Sequence, residues 1–477
     1  EYWHTRSTGA SRNDRIHPST SEINSALTNV QSNSGSSASE GLRSYIGRMN
    51  YSAYDKYLLE FSFRVDGSSK FIKGHQYGFF PTVAVGWRFT EEEFLKKYLS
   101  SWLSSGKLRA SWGKLGDNSG VGRFEQLETL TAMNYMSSDV VKGFVNKKMI
   151  NKDLSWEVST DINVGLDLGF LNNRLRTEID FYNRLRTGMN RPSQMSIHLT
   201  GAYSAPRANI GDLLNRGLEL NLTWKDKIGN VEYSVNLNGA YNRTVLKEWN
   251  EFLSRGWVYL DMPYHFLYVY ENNGIAQTWQ DIYNNTPQGL SPGDVIRKDL
   301  NGDGIIDGKD KKAYPNIQRD RPTTTYGITL QAAWKGFDIS MLFNGGLGRK
   351  DFWLTDFNNT AFADRRYAST WDHWTEPWSL ENRGGEWPRL GTSTDRSDNS
   401  YWLYNMNYLR MKNIMLGYNL PKKLLSKISM TNLRIYASAE NLFTVTQYPG
   451  LDPEKKNSAR DLYPINRSFS IGLNVSF

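Results

Sequence analysis

Residues 299–310 read Asp-Leu-Asn-Gly-Asp-Gly-Ile-Ile-Asp-Gly-Lys-Asp, and their types and spacing point to one chemistry, the holding of a hard cation. Oxygen-bearing side chains fall at loop positions 1, 3, 5, 9 and 12, occupied by Asp299, Asn301, Asp303, Asp307 and Asp310. Gly304 stands at position 6, where a calcium loop turns sharply, and Ile305 at position 7, where the backbone carbonyl is the ligand. Four carboxylates this close repel one another unless a cation lies between them. The pattern predicts a bound Ca²⁺, held at about 2.3–2.6 Å, that stiffens a loop and does not catalyse. It departs from the EF-hand at its last position, where Asp310 replaces Glu and shortens the bidentate arm. The competing reading is a solvated acidic turn closed by Asx hydrogen bonds.

A second candidate is aromatic. Trp353, Trp371, Trp374, Trp378, Trp387 and Trp402 crowd one stretch, and Trp371, Trp374, Trp378 and Trp387 are candidates for stacking on a sugar ring or an apolar ligand, against the alternative of packing within the loop itself. Catalytic constellations are not found. His4, His17, His75, His198, His265 and His373 are dispersed without metal spacing, and HExxH, GxSxG, P-loop and Rossmann fingerprints are all missing. The sequence contains no cysteine, which excludes thiol chemistry and disulfides. The expectation is a protein that is not an enzyme. Its 57 basic and 49 acidic residues are scattered without a basic run, so no nucleic-acid partner is expected.

The elements that must position these candidates are strands. Mean hydropathy is −0.59 and no apolar run approaches the roughly 18 residues of a spanning helix, but a barrel strand spreads its apolar residues over every second position and reads as hydrophilic on average. The last nine residues, Phe469 to Phe477, alternate without exception, and the stretch from Trp156 to Phe170 alternates over about fifteen residues, too long for an ordinary soluble strand. Similar alternation marks Tyr45–Tyr51, Tyr57–Val65, Val83–Phe89, Leu108–Trp112, Leu175–Phe181, Leu218–Trp224, Val231–Tyr241, Tyr326–Trp334, Phe337–Phe343, Leu409–Leu420 and Leu433–Ala439. A phase slip near Lys412 predicts a bulge. Thr90 and Glu93 form a capping-box pattern before a short helix ending near Leu99. Trp87, Trp112, Trp156, Trp224 and Trp334, on strands, suit interfacial girdles or barrel packing.

About thirteen strands result, and the connections between them run short, long, short, long. Tight turns on one side and long loops on the other belong to outer-membrane barrels. Residues 1–42 are expected to be an extracellular loop and residues 43–477 part of a transmembrane antiparallel β-barrel, with the cation loop 299–310 inside the long external loop 247–322. The C-terminus falls on the periplasmic side. Because bacterial one-chain barrels have even strand numbers, an odd count predicts further strands outside this sequence.

Several segments in the same order resemble the SusC/RagA-like TonB-dependent transporters of Bacteroidetes outer membranes. They include KYLLEFSFRVDGSSKF at 56–71, FPTVAVGWRF at 80–89, KLRASWGKLGDN at 107–118, LSWEVSTDINVGLDLGFLNNRL at 154–175, NIGDLLNRGLEL at 209–220, DLNGDGIID at 299–307 and LRIYASAENLFT at 433–444. The resemblance implies a 22-strand barrel around an N-terminal plug, so that the remaining barrel and plug segment would lie outside this sequence. It also implies a SusD-like lipoprotein over the mouth, contact with outer-membrane lipid, a possible dimer of SusC–SusD pairs, and coupling to TonB, ExbB and ExbD through the missing N-terminal part. The cargo would be a large nutrient, a glycan or an oligopeptide. The alternative function is a secreted β-rich glycan-binding protein with a structural calcium loop.

Overall fold

The computed structural model describes residues 1–12, 31–99, 102–128, 130–136, 140–146, 148–200, 205–251, 259–264, 266–352, 376–389, 399–421, 425, 430–455 and 464–476. They are organised by one antiparallel sheet of fourteen strands in sequence order. These are β1 (Tyr2–Arg12), β2 (Gln31–Ala53), β3 (Tyr57–Ser68), β4 (Tyr77–Trp87), β5 (Leu103–Asp117), β6 (Glu157–Phe170), β7 (Leu175–Thr187), β8 (Asp212–Ile228), β9 (Val231–Glu248), β10 (Thr324–Trp334), β11 (Phe337–Leu347), β12 (Tyr408–Asn419), β13 (Asn432–Thr446) and β14 (Ser468–Ser476). Among the described residues the sheet is open, with β14 paired only to β13.

The register explains why one face is apolar across the whole sheet. Tyr45 stands opposite Val65 and Met49 opposite Phe61, and Phe61 in turn opposite Val83. Val83 faces Trp112, Trp112 faces Ile162, and Val164 faces Phe181. Phe181 faces Leu218, Leu222 faces Leu237, and Leu237 faces Ile328. The row continues through Phe343, Met341 and Ile339 to Leu416, Ala437 and Ile471. Side chains of period two keep one face through every ladder, so a shift of one residue anywhere would break the row. Among the described residues most of this face is left uncovered: Phe469 is 72% and Ile471 84% exposed. An apolar surface of that extent is far beyond what a water-soluble monomer presents, and it fits a hydrocarbon solvent.

The other face carries charge. Arg109 of β5 donates to Asp167 of β6 at 2.7 Å and to Asp180 of β7 at 2.9 Å. Arg184 pairs with Asp161, Arg186 with Glu157 and Asp117, Arg48 with Glu60, and Arg434 with Asp338. Apolar exceptions on this side include Ile46, Leu58, Leu115, Leu342 and Met415. These partly exposed pairs link adjacent strands or, as in Arg109–Asp180, Arg186–Asp117 and Arg434–Asp338, reach across one strand to the next, and fix register more than they add stability.

The expected thirteen strands become fourteen, and the correction lies in residues 1–42. Tyr2–Arg12 pairs with Gln31–Gly41, whereas Leu42–Ala53 of the same long strand pairs with β3. The β1–β2 hairpin therefore projects past the body of the sheet. Its Ser- and Gly-rich sequence has no alternation because neither of its faces meets a core, while the ladder itself is made by backbone groups that any residue supplies. The bulge near Lys412 is present as a register shift between Met411 and Asn413.

At one end of the sheet the connections are mostly tight. Tyr54 and Asp55 adopt φ of 52° and 54°, Asn172 and Asn173 of 57° and 61°, and Lys335 and Gly336 of 45° and 89°, the left-handed conformations of tight hairpins. The connection between β4 and β5 is larger and holds a 3₁₀ turn, Phe89–Glu91, and helix α1, Glu93–Leu99. The expected capping box is not formed. The Thr90 hydroxyl instead accepts from the Gly106 N–H at 2.9 Å and donates to its carbonyl, and the Glu92 carbonyl takes the first helical N–H, from Lys96. The long connections all lie at the opposite end. They carry small sheets of their own, such as Leu130–Met136 with Val140–Asn146 and Phe266–Tyr270 with Lys311–Gln318.

Candidate functional site

The loops after β9 and β11 build one packed body, and the acidic loop belongs to it. Strand Val295–Arg297 leads into residues 299–310 and strand Lys311–Gln318 leads out. The first pairs with Asn272–Ile275 and the second with Phe266–Tyr270. Leu267 and Val269 join Phe352 and Trp402 in a buried apolar cluster, onto which Tyr314 and Trp387 pack. The ends of the acidic loop are thus fixed by a small core, and the Tyr268 hydroxyl reaches the Gly308 carbonyl at 3.0 Å.

Within the loop the carboxylates and the Asn301 amide take the loop's own N–H groups. Asp299 accepts from Gly302 at 2.6 Å and Gly304 at 2.9 Å, Asp303 from Ile305 at 2.9 Å, and Asp307 from Lys309 at 2.7 Å. Asn301 accepts from the Asp303 N–H and donates to the Asp303 carboxylate. Gly302 and Gly304, at φ of 74° and 80°, supply the turns that let the chain fold back on Asp299. Asp310 is 0% exposed, with one oxygen on the Leu300 N–H at 2.9 Å and the other on the Asp307 N–H at 2.8 Å. The Asp307 N–H, with those of Leu300 and Asn301, holds the Asp310 carboxyl below the usual carboxylate range against the opposing effect of burial.

The fit to a cation is one of donor chemistry. Asp299, Asn301, Asp303, Asp307 and the Ile305 carbonyl form an all-oxygen set of the kind a hard divalent ion takes, and an ionised carboxylate has lone pairs to share between an N–H and a metal. Among the described residues, however, no three acidic or histidine side chains converge as a metal cage, and Asp310 serves as a buttress for both ends of the loop.

Of the tryptophan candidates, Trp371 and Trp374 lie outside the described residues, as does Trp353. Trp378 is 7% exposed; its indole N–H donates to the Gln277 side chain at 2.8 Å, and its ring fills the space a side chain at Gly293 would need. Trp387 lies against Trp402, ring centroids 6.2 Å apart, and its carbonyl accepts from the Trp378 N–H. Trp378 sits in the packing that joins segment 376–389 to segment 272–298, which the Arg389–Asp294 pair at 2.8 Å also ties together, and Trp387 joins the same segment to the cluster around Leu267 and Trp402. Burial pushes the neighbouring Tyr404 hydroxyl up to about 12.

Buried arginines that sequence reasoning did not single out complete the body. Arg349 is 1% exposed and donates to the carbonyls of Arg319, Pro453, Glu454 and Lys455 at 3.0–3.2 Å. Arg410 pairs with Asp452 and Glu454, each at 2.8 Å. Together they anchor the loop after β13 to β11 and β12. In the sequence Arg349 looks like any other arginine in a polar loop and Arg410 like any other on a strand, and no spacing marks them.

Comparison with known proteins follows from this architecture. The family model described as TonB dependent receptor-like, beta-barrel matches residues 3–442. TonB-dependent receptor P3 of Formosa agariphila is 30% identical over 91% of this chain and 45% of its own length. TonB-dependent receptor SusC of Bacteroides thetaiotaomicron is 30% identical over 91% of this chain and 44% of its own. The chain thus spans about half the length of the curated relatives it matches. Among solved structures, the RagAB peptide transporter superposes over 100% of this chain and 52% of the matched chain, with a TM-score of 0.79 at 23% identity, a likeness of fold.

Proposed function

This chain belongs to the TonB-dependent receptor-like β-barrel family, of SusC/RagA type, and from that premise we propose that it forms barrel wall and outer loops of an importer for a large nutrient, a glycan or an oligopeptide. The family implies an outer-membrane location and a transport or receptor role. The observation that carries the reading is the two-faced sheet: an apolar row exposed across the strands, backed by a face of ion pairs suited to a water-filled or plugged lumen. A secreted glycan-binding protein has no use for such a row. The tight-turn end, where β14 finishes, is the periplasmic end in this reading, and the packed loop body faces outward.

A SusD-like surface lipoprotein is the proposed partner at the loop body, as the likeness to SusC suggests. Energy would come from TonB with ExbB and ExbD, acting through a plug and further strands that complete the barrel, and two such transporter–lipoprotein pairs could associate. Deletion of the gene should abolish growth on one class of oligomer, glycan or peptide, while growth on its monomers persists, and a protonophore should stop uptake in the parent strain. Recovery of the protein in the soluble extracellular fraction, or uptake indifferent to the protonophore, would refute the proposal.

Loop 299–310 is proposed to bind Ca²⁺ in a structural role, with Asp299, Asn301, Asp303, Asp307 and the Ile305 carbonyl as ligands and Asp310 behind them. What supports this is the all-oxygen donor set on a loop whose two ends are anchored. Calorimetric titration of the chelator-treated protein with CaCl₂ should show one site per chain, lost in Asp303→Asn. Equal heats from both proteins would count against it.

A further inference from the structure

The connection between β4 and β5 is the one enlarged member of the tight-turn end that is described throughout most of its length, and its side chains are distributed in a way the barrel alone does not require. It is folded onto the outside of the sheet. The Glu92 carboxylate, itself buried, accepts from the Tyr57 hydroxyl at 2.6 Å, the Trp87 indole at 3.2 Å and the Lys56 ammonium at 3.3 Å. Tyr57 and Trp87 stand opposite each other and share the apolar face with Leu59 and Val85. Phe89 lies over Gly106, where a Cβ would come within 2.3 Å of its ring, and Gly106 is in register with Leu168 on that face. Trp102 stacks on Phe170, centroids 5.8 Å apart, at the other end of the segment.

Held in this way, α1 is amphipathic. Phe94 and Tyr98 share a stripe, Leu95 and Leu99 the adjacent one, and Glu93, Lys96 and Lys97 occupy the opposite arc of the helix. Leu95 and Leu99 are half-buried, whereas Phe94 is 64% and Tyr98 74% exposed. Two aromatic rings are therefore presented to the surroundings beside the apolar row and at its edge.

We infer that α1 is an interfacial anchor, lying in the plane of the inner-leaflet head-group boundary with Phe94 and Tyr98 inserted among the acyl chains and Lys96 and Lys97 set toward lipid phosphates. The occupant is phospholipid because the exposed rings continue the lipid-facing surface through Trp102, Phe170, Phe89 and Trp87; the polar arc adds Lys97 and Lys96, the latter also 3.9 Å from the Glu91 carboxylate. Glu92 is the clamp that fixes the helix to the wall. The inference rests on the membrane reading of the sheet.

Single-cysteine labelling gives a direct test, since these 477 residues contain no cysteine and any outside them is first replaced by serine. Spin labels at Phe94→Cys, Tyr98→Cys and Lys97→Cys, with Leu220→Cys on the apolar row as reference, are read in the full-length protein in phosphatidylethanolamine–phosphatidylglycerol vesicles. Accessibility to oxygen and to a water-soluble nickel chelate is measured at each. At 94 and 98 the oxygen-to-nickel ratio should exceed that at 97 by about fivefold or more and approach that at 220. Nickel accessibility at 94 and 98 equal to that at 97 would place the rings in water and overturn the inference. Shielding from both reagents would show that protein covers the helix, and would overturn it equally. A label at 220 that fails to report lipid would remove the membrane reading, and the inference with it.

Discussion

Replacement of Asp452 by asparagine should release the loop after β13 from the sheet. Asp452 and Arg410 have side chains 1% and 3% exposed and meet at 2.8 Å, and the same Asp452 oxygen accepts the Glu454 N–H at 3.0 Å. The second oxygen is buried with no hydrogen-bond partner among the described residues, so the amide introduced by Asp452→Asn would either weaken the hold on Arg410 or bury an NH₂ group with nothing to receive it. Full loss of a partner from a buried pair costs about 3–5 kcal/mol, but Arg410 keeps Glu454 and the Thr444 hydroxyl, which lowers the expected cost to about 2–3 kcal/mol. At 1.4 kcal/mol per tenfold, opening of the segment rises roughly 30- to 150-fold. Hydrogen exchange at the Glu454 and Lys455 amides, measured in the folded protein, reads this directly. Exchange within about threefold of the parent would refute the claim that the ion pair, and not Arg349 alone, secures the loop.

Leu220→Arg places a charge on the apolar row and should cost about 2–4 kcal/mol in lipid, whereas Asn221→Arg, beside Glu178 on the polar face, should cost under about 1 kcal/mol; urea titration of the protein in vesicles compares them, and equal costs, or a greater cost at 221, would refute the assignment of faces. The Asp310 carboxyl is held low by the Asp307 N–H, so its contribution to loop order is complete above the usual carboxylate pKa of about 3.9 and is lost as pH falls through the lower folded value. Exchange of the Leu300 and Asp307 amides should therefore be insensitive to this group between about pH 5 and 8. Beyond the intrinsic pH dependence, it should accelerate only in stronger acid, and Asp310→Asn should remove that acid-induced step.

How much of this was legible in the sequence depended on whether a residue's environment is periodic. Val158 to Phe170 alternates because every second side chain meets the same apolar solvent, so the strand and the polar character of its intervening positions follow from one pattern, whereas the pairing of Arg109 with Asp167 and Asp180 on that polar face emerges only from the register. The bulge at Lys412 was legible for the same reason, as a break in phase. β1 was not, since a hairpin with both faces in the same surroundings has no phase to read. Thr90 misled because a hydroxyl three residues before an acid suits a cap, but the nearer Gly106 backbone offers both a donor and an acceptor.

The long loops fail differently. The turns of Asp299–Asp310 were legible because a tight local path calls for glycine, and Gly302 and Gly304 have positive φ in the structure. Trp378 and Trp387 carry no such local rule. Their burial is decided by Gln277, Gly293 and Trp402, residues far away in the sequence, so clustering of tryptophans along the chain revealed a packed loop body and could not say which rings face outward. Arg349 makes the same point from the polar side: its partners are mostly backbone carbonyls more than a hundred residues away, and carbonyls leave no mark on a sequence. The sheet of this molecule is thus written in side-chain order, whereas the packed loop body is written in tertiary contacts, and substitutions in the two regions should be judged by different rules.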